Sequence, residues 1–295
     1  MKFFNLFLLC SAFVFGLSLG HYKYPPFQLI ASVKTYLTSS KTNDLKKFSS
    51  CSLPKSFEVI NDSHAFIGHA YGSPSSAKLN SHLAKNALEF ITDNKSRLRT
   101  ITFTGDVFSV PSLDKWKILS QEINDNLEIF IAPGNHDVER PDSRDIFQIS
   151  QFGQQGYPFL KYLDDTPVIF EDSISSSWEV SNATLELANN SDSKVVIIAR
   201  HNLPTSDLLS VANSQSGKSS DLGTVEKLVQ KFDKDTFFYW VIGDSGAFPH
   251  LPRLSCLTYK NHTFIVNGLG EVPGDAVVLY HKGKFYEYEI SSTLN

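Results

Sequence analysis

Leu127-Glu128-Ile129-Phe130-Ile131-Ala132-Pro133-Gly134-Asn135-His136-Asp137 is an apolar, β-branched run that empties into a turn carrying an amide, an imidazole and a carboxylate. A short apolar run bounded by Pro and Gly predicts a buried strand. The glycine lets the backbone turn sharply after it. The same figure recurs on both sides. Ala65-Phe66-Ile67 precedes Gly68-His69-Ala70-Tyr71-Gly72, and Thr100-Ile101-Thr102-Phe103-Thr104 precedes Gly105-Asp106. Lys194-Val195-Val196-Ile197-Ile198-Ala199 ends at Arg200-His201, and Thr236-Phe237-Phe238-Tyr239-Trp240-Val241-Ile242 ends at Gly243-Asp244. Between the early runs lie segments of helical period, residues 79–91 (Leu83, Ala87, Leu88, Ile91) and 112–123 (Leu113, Trp116, Leu119, Ile123). Strand and helix in alternation predict an α/β fold. In such sheets ligands bind beyond the carboxyl ends of the strands, so the five polar clusters are expected at one rim. Residues 257–288 are again rich in strand formers, which closes one domain over residues 57–290.

The bulk composition fits this reading. The 295 residues are 41% hydrophobic and 20% charged, with a net charge of −4, enough for one sizeable core. That charge offers no basic field for nucleic acid. A phosphorylated partner would need positive charge supplied locally, by a metal or a few side chains. Residues 1–20 differ from the rest: Lys2 precedes an apolar run over residues 3–19 that ends in small residues. This predicts a signal peptide, with an uncleaved N-terminal anchor as the alternative and membrane attachment through residues 3–19. Either way the chain is expected to be exported, as a periplasmic or secreted protein or one tethered to the outer face of a membrane. Residues 21–56 read as a stalk or lead-in, and 291–295 as a tail. Outside the leader there are two cysteines, Cys51 and Cys256, which form one disulfide in an oxidising compartment or stay as separate thiols. Asn61, Asn94, Asn182, Asn189 and Asn261 open sequons that matter only in a glycosylating host.

The blocks Gly105-Asp106, Gly134-Asn135-His136-Asp137 and strand-terminal His201, in this order, resemble the calcineurin-like metallophosphoesterases, over residues 57–290. The resemblance implies a sandwich of two mixed β-sheets flanked by helices, and hydrolysis of a phosphomonoester or phosphodiester by a metal-activated hydroxide. It also implies a divalent transition metal (Mn, Fe or Zn), one or two per chain. The expected substrate is a phosphorylated small molecule, glycan or lipid head group. Residue by residue, it gives Asp106 as the carboxylate bridging two metals, Asn135 as an amide ligand and His201 as the lone histidine ligand. His136 would contact the phosphoryl group and protonate the leaving oxygen, with Asp137 hydrogen-bonded to its ring.

The two ends of the family pattern depart. Where D-x-H is expected, one frame offers Gly68 and Ala70, and a one-residue slip offers His69 and Tyr71; only the second provides donors. Where G-H-x-H is expected, the sequence reads Gly243-Asp244-Ser245-Gly246, so Asp244 can replace the first histidine but Gly246 cannot replace the second. One metal set, Asp106, Asn135, His201 and Asp244, is therefore complete. The other keeps Asp106 and His69, with Tyr71 or His250 as weak additions. These departures leave room for a domain that binds a phosphorylated surface glycan or lipid without turnover. Ser245 lacks the G-x-S-x-G elbow of a nucleophile. Arg200 offers a bidentate hold on a phosphate oxygen or is simply solvated. Substrate recognition is expected in residues 153–167 and 202–222.

Overall fold

The computed structural model describes residues 47–72, 83–123, 127–214, 222–270 and 274–290. The leader, most of the lead-in and the tail lie outside these. Two mixed sheets are stacked face to face with helices on both outer surfaces. The five-stranded sheet has on one side the parallel strands β2 (Ser63–Ile67), β3 (Leu98–Phe103) and β4 (Glu128–Ile131), with β4 at the edge. It is extended from β2 by antiparallel β11 (Ala276–His281) and β12 (Lys284–Glu289). The seven-stranded sheet has a parallel centre of β6 (Thr166–Phe170), β7 (Val195–Arg200), β8 (Phe237–Ile242) and β10 (His262–Val266). Antiparallel strands flank that centre: β5 (Phe159–Leu163) beside β6, β9 (Ser255–Tyr259) beside β10, and β1 (Ser49–Ser50) beside β9.

Side chains along each strand alternate between two cores, as a period of two requires. On β7, Ile197 and Ala199 face the other sheet, where they meet Phe66, Phe130 and Val278. Val196 and Ile198 face outward, into a core shared with α5 (Asn182–Asn189), α6 (Ser206–Asn213) and α7 (Gly223–Val229). On the opposite surface Ala65, Ile67, Ile101 and Phe103 pack under α1 (Lys85–Asn94), α2 (Leu113–Ile123) and α4 (Pro141–Ile149). Burial on both faces is why these strands read as unbroken apolar runs.

Two stretches read from sequence as connections belong to the sandwich. Much of 153–167, expected as a recognition loop, forms the β5–β6 hairpin. The end of the lead-in is also integral: Phe48 is buried, β1 pairs with β9, and Cys51 is bonded to Cys256 across 205 residues. Among the described residues no helix is long and apolar enough to cross a membrane.

Candidate metal centre

Parallel strands from both sheets end at one rim. β3 runs into Gly105 (φ 96°) and Asp106 (φ 54°), two consecutive left-handed residues that turn the Asp106 carboxylate back over the strand ends. β4 runs into α3 (Asn135–Val138), whose first residues carry Asn135 and His136. His201 follows β7 and Asp244 follows β8. Asp106, Asp137 and His201 are buried, whereas Asn135, His136 and Asp244 are half-buried.

His201 is the hub. Its Nδ1–H donates to the Thr104 carbonyl at 3.1 Å, which leaves Nε2 as the free nitrogen. That nitrogen stands 3.1 Å from Asn135 Oδ1, 3.4 Å from Asp106 Oδ1 and 3.9 Å from Asp244 Oδ1. Three oxygens and an imidazole lone pair turned on one another repel unless a proton or a cation lies among them. Burial alone would lower the pKa of His201, but the Asp106 and Asp244 charges outweigh it and raise it. Burial also pushes the Asp244 carboxyl up to about 6, with His201 pulling it back. Ligands about 2.1 Å from a common cation stand roughly 3.0–3.4 Å apart, a spacing that Asn135 and Asp106 already have about Nε2. Asp244 is a few tenths of an ångström further out. Among the described residues no group of three or more His, Cys, Asp and Glu is disposed as a ready-made metal site. The convergent set needs the Asn135 amide as its fourth member.

Of the residues after β2, His69 and not Gly68 lies beside Asp106. Gly68 has no room for a side chain, since a β-carbon there would stand 2.5 Å from the Gly243 α-carbon. His69 (φ 48°) instead brings Nδ1 to 3.5 Å from Asp106 Oδ2. Its ring lies over Gly246, where a β-carbon would meet Cε1 at 2.6 Å. The space over Gly246 is thus filled by a side chain from the other sheet. Tyr71 continues the stack, with ring centroids 4.5 Å from His69 and 5.0 Å from His136. Burial and the Asp106, Asp244 and Asp137 charges push its phenol well up, so it stays neutral.

Asp137 has other partners than the one expected. Its carboxylate accepts from the Val107 and Phe108 N–H groups at 3.1 and 3.2 Å and from Gly134 N–H at 3.0 Å, tying the loop after β3 to the turn after β4. Burial and the Asp106 charge nonetheless push its pKa up to about 6. The His136 ring is held by the Ser109 carbonyl, which accepts from Nδ1–H at 3.2 Å. Arg200 is fully buried and does not face the rim. It donates to Glu171 Oε2 at 2.8 Å, to the Asn202 carbonyl at 2.7 Å and to the Trp178 carbonyl at 2.6 Å. His250 donates to the Ala212 carbonyl, and His64 meets Thr100 and Asp164, so neither joins the centre. Sequence reasoning missed Asn202, whose amide reaches Asp244 Oδ2 at 3.5 Å while its backbone is pinned by Ser173. Its place directly after His201 was the available signal.

No family model matches the chain, and no curated protein matches it. Among solved structures it is similar to GAP50, the anchor in the inner membrane complex of Plasmodium, at 14% identity and a TM-score of 0.48. The match covers 79% of this chain and 85% of that one, a likeness too loose to assign a fold family or a function.

Proposed function

We propose that this chain is a divergent, exported metallophosphoesterase that hydrolyses a phosphomonoester or phosphodiester with one divalent cation held by Asp106, Asn135, His201 and Asp244. The observation that carries the reading is the convergence of three oxygens on His201 Nε2, with two donors from each sheet. One imidazole, one amide and two carboxylates suit Mn²⁺, Fe²⁺ or Zn²⁺. A cation so held supplies Lewis-acid charge at a phosphoryl oxygen. The side chains do the rest. His136 Nδ1–H is committed to Ser109, so Nε2 is the position that exchanges a proton and can give it to the departing ester oxygen. Water adds its oxygen to phosphorus as the P–O ester bond breaks, releasing an alcohol and phosphate, or an alcohol and a monoester from a diester. Neutral Tyr71 packs its ring against His136, 5.0 Å between centroids, at the edge of the centre. Export is supported by the Cys51–Cys256 disulfide, which suits an oxidising compartment.

His69 over Gly246 favours a second reading, a domain that binds a phosphorylated glycan or lipid head group without turnover. The two separate on purified protein incubated with Mn²⁺ or Zn²⁺, by elemental analysis and turnover of aryl phosphates and diesters. The hydrolase reading expects one metal per chain, lost in His201→Ala and in Asp106→Ala, and turnover that falls at least about 100-fold in His136→Ala. Bound metal with no turnover on a broad ester panel would favour the binder. Absence of metal in the wild type would sink both metal readings.

A further inference from the structure

A cavity of about 820 Å³ forms a groove beside the centre rather than at it. Its walls begin at Glu139 and Leu203, two residues beyond Asp137 and His201, so it opens within about 7 Å of chain from both. Over it stands Trp178, 41% exposed while Trp116 and Trp240 are buried. Ser177 (φ 53°) and Trp178 (φ 73°) are consecutive left-handed residues, a conformation that a tryptophan adopts at a cost.

The fold enforces that conformation. Trp178 N–H donates to the Ser173 carbonyl at 2.8 Å, and the buried Arg200, next in chain to His201, holds the Trp178 carbonyl. The Asp172 carboxylate accepts from the Ile174 and Ser175 N–H groups and from Arg144 at 2.8 Å, fixing the loop from its other end. The backbone is strained and the indole is left exposed, and partly buried hydrogen bonds hold the loop in that state. Costs of this kind cluster at ligand clamps. Leu203, Pro204 and Leu209 line the groove with the indole, and its exposed charges are of both signs, Lys227 and Lys231 with Glu139 and Glu179. An apolar slot beside an exposed indole whose backbone is pinned fits a planar ring, with the anionic group it carries directed to the neighbouring centre.

We propose that this groove is the leaving-group subsite, and that the substrate is a phosphate ester of an aromatic group, either a nucleoside phosphate or an aryl phosphate, whose ring stacks on Trp178. The inference rests on the neighbouring centre being the one that handles the phosphoryl group. Its test is kept apart from hydrolysis. Binding of AMP, phenyl phosphate and glycerol phosphate to the metal-free full chain is followed by saturation-transfer NMR and calorimetry. The two ring-bearing probes are expected to bind at least about 10-fold more tightly than glycerol phosphate. That preference should vanish in Trp178→Ala and persist in Trp178→Phe, which also controls for folding. Preference for AMP over phenyl phosphate identifies a nucleoside source, and equal binding an aryl one. If all three probes bind alike, or Trp178→Ala keeps the preference, the subsite is refuted even if esters are hydrolysed. Ring binding lost in Trp178→Ala, with no ester turned over, would keep the groove and remove the hydrolase.

Discussion

The His69 imidazole occupies the space that a side chain at Gly246 would need, with ring atoms 2.6 to 2.9 Å from the position of the absent β-carbon. The two residues come from different sheets and depend on each other. Gly246→Ala should destabilise the protein by about 1–3 kcal/mol through overpacking. Removing the ring should relieve this, so the His69→Ala, Gly246→Ala pair should show a coupling of at least about 1 kcal/mol by urea unfolding. Strictly additive losses would mean that the ring moves aside freely.

The Arg200–Glu171 pair should be costly to break singly. Both side chains are buried, and the other Glu171 oxygen accepts from Ser181 N–H and Thr184 Oγ1, each at 2.9 Å. Arg200→Met leaves an uncompensated carboxylate in the interior and should cost about 3–5 kcal/mol. The Glu171→Gln, Arg200→Met double variant should recover part of it. Denaturant midpoints decide the matter, and a loss under about 1 kcal/mol in the single variant would contradict the arrangement.

His262 makes folding pH-dependent. Trp240 Nε1–H donates to its Nδ1 at 3.0 Å, and its buried Nε2 has no hydrogen-bond partner among the described residues. Burial pushes its pKa down to about 4 from 6.5. Between those values the unfolded chain takes up a proton that the folded chain refuses. Its contribution is therefore complete above pH 6.5 and is lost as the pH falls toward 4, by roughly 3 kcal/mol in all. In His262→Gln, which keeps an acceptor for Trp240, unfolding measured from pH 7 to pH 4 should show a slope shallower by that amount. An unchanged slope would place the titration elsewhere.

Asp137 should act through the backbone and not through the His136 ring. Asp137→Ala orphans three buried N–H groups and should cost roughly 3 kcal/mol. Asp137→Asn, which retains one acceptor oxygen, should cost less. The His136 ring should keep its Nδ1–H donation to Ser109 in Asp137→Asn, as read from the ring nitrogen shifts by NMR. Loss of that hydrogen bond would restore the direct contact expected from the sequence.

The helix–strand alternation was legible because strands buried on both faces must be apolar throughout, and because each run stops at a polar turn. The same logic brought Asp106, Asn135, His201 and Asp244 to one rim. What sequence could not carry was side-chain aim. Arg200 sits one residue before a rim histidine yet points inward, because Glu171, 29 positions earlier, supplies its counter-charge. Asp137 sits beside His136 yet reaches back to Val107 and Phe108, 30 and 29 positions away. The β5–β6 hairpin was missed because its half-buried first strand, Phe-Leu-Lys-Tyr-Leu, lacks the unbroken apolar run of the central strands.

Two of the four convergent donors ride on each sheet, so none of the halves owns the centre. Under the proposed function, an ion held there would act as a clasp between the two layers of the sandwich, with its affinity linked to their docking. Loosening the inter-sheet packing at Phe66 or Val168, out of reach of any substrate, should therefore weaken ion retention before it unfolds the chain. Conversely, saturating the clasp should raise the melting temperature in step with ion concentration.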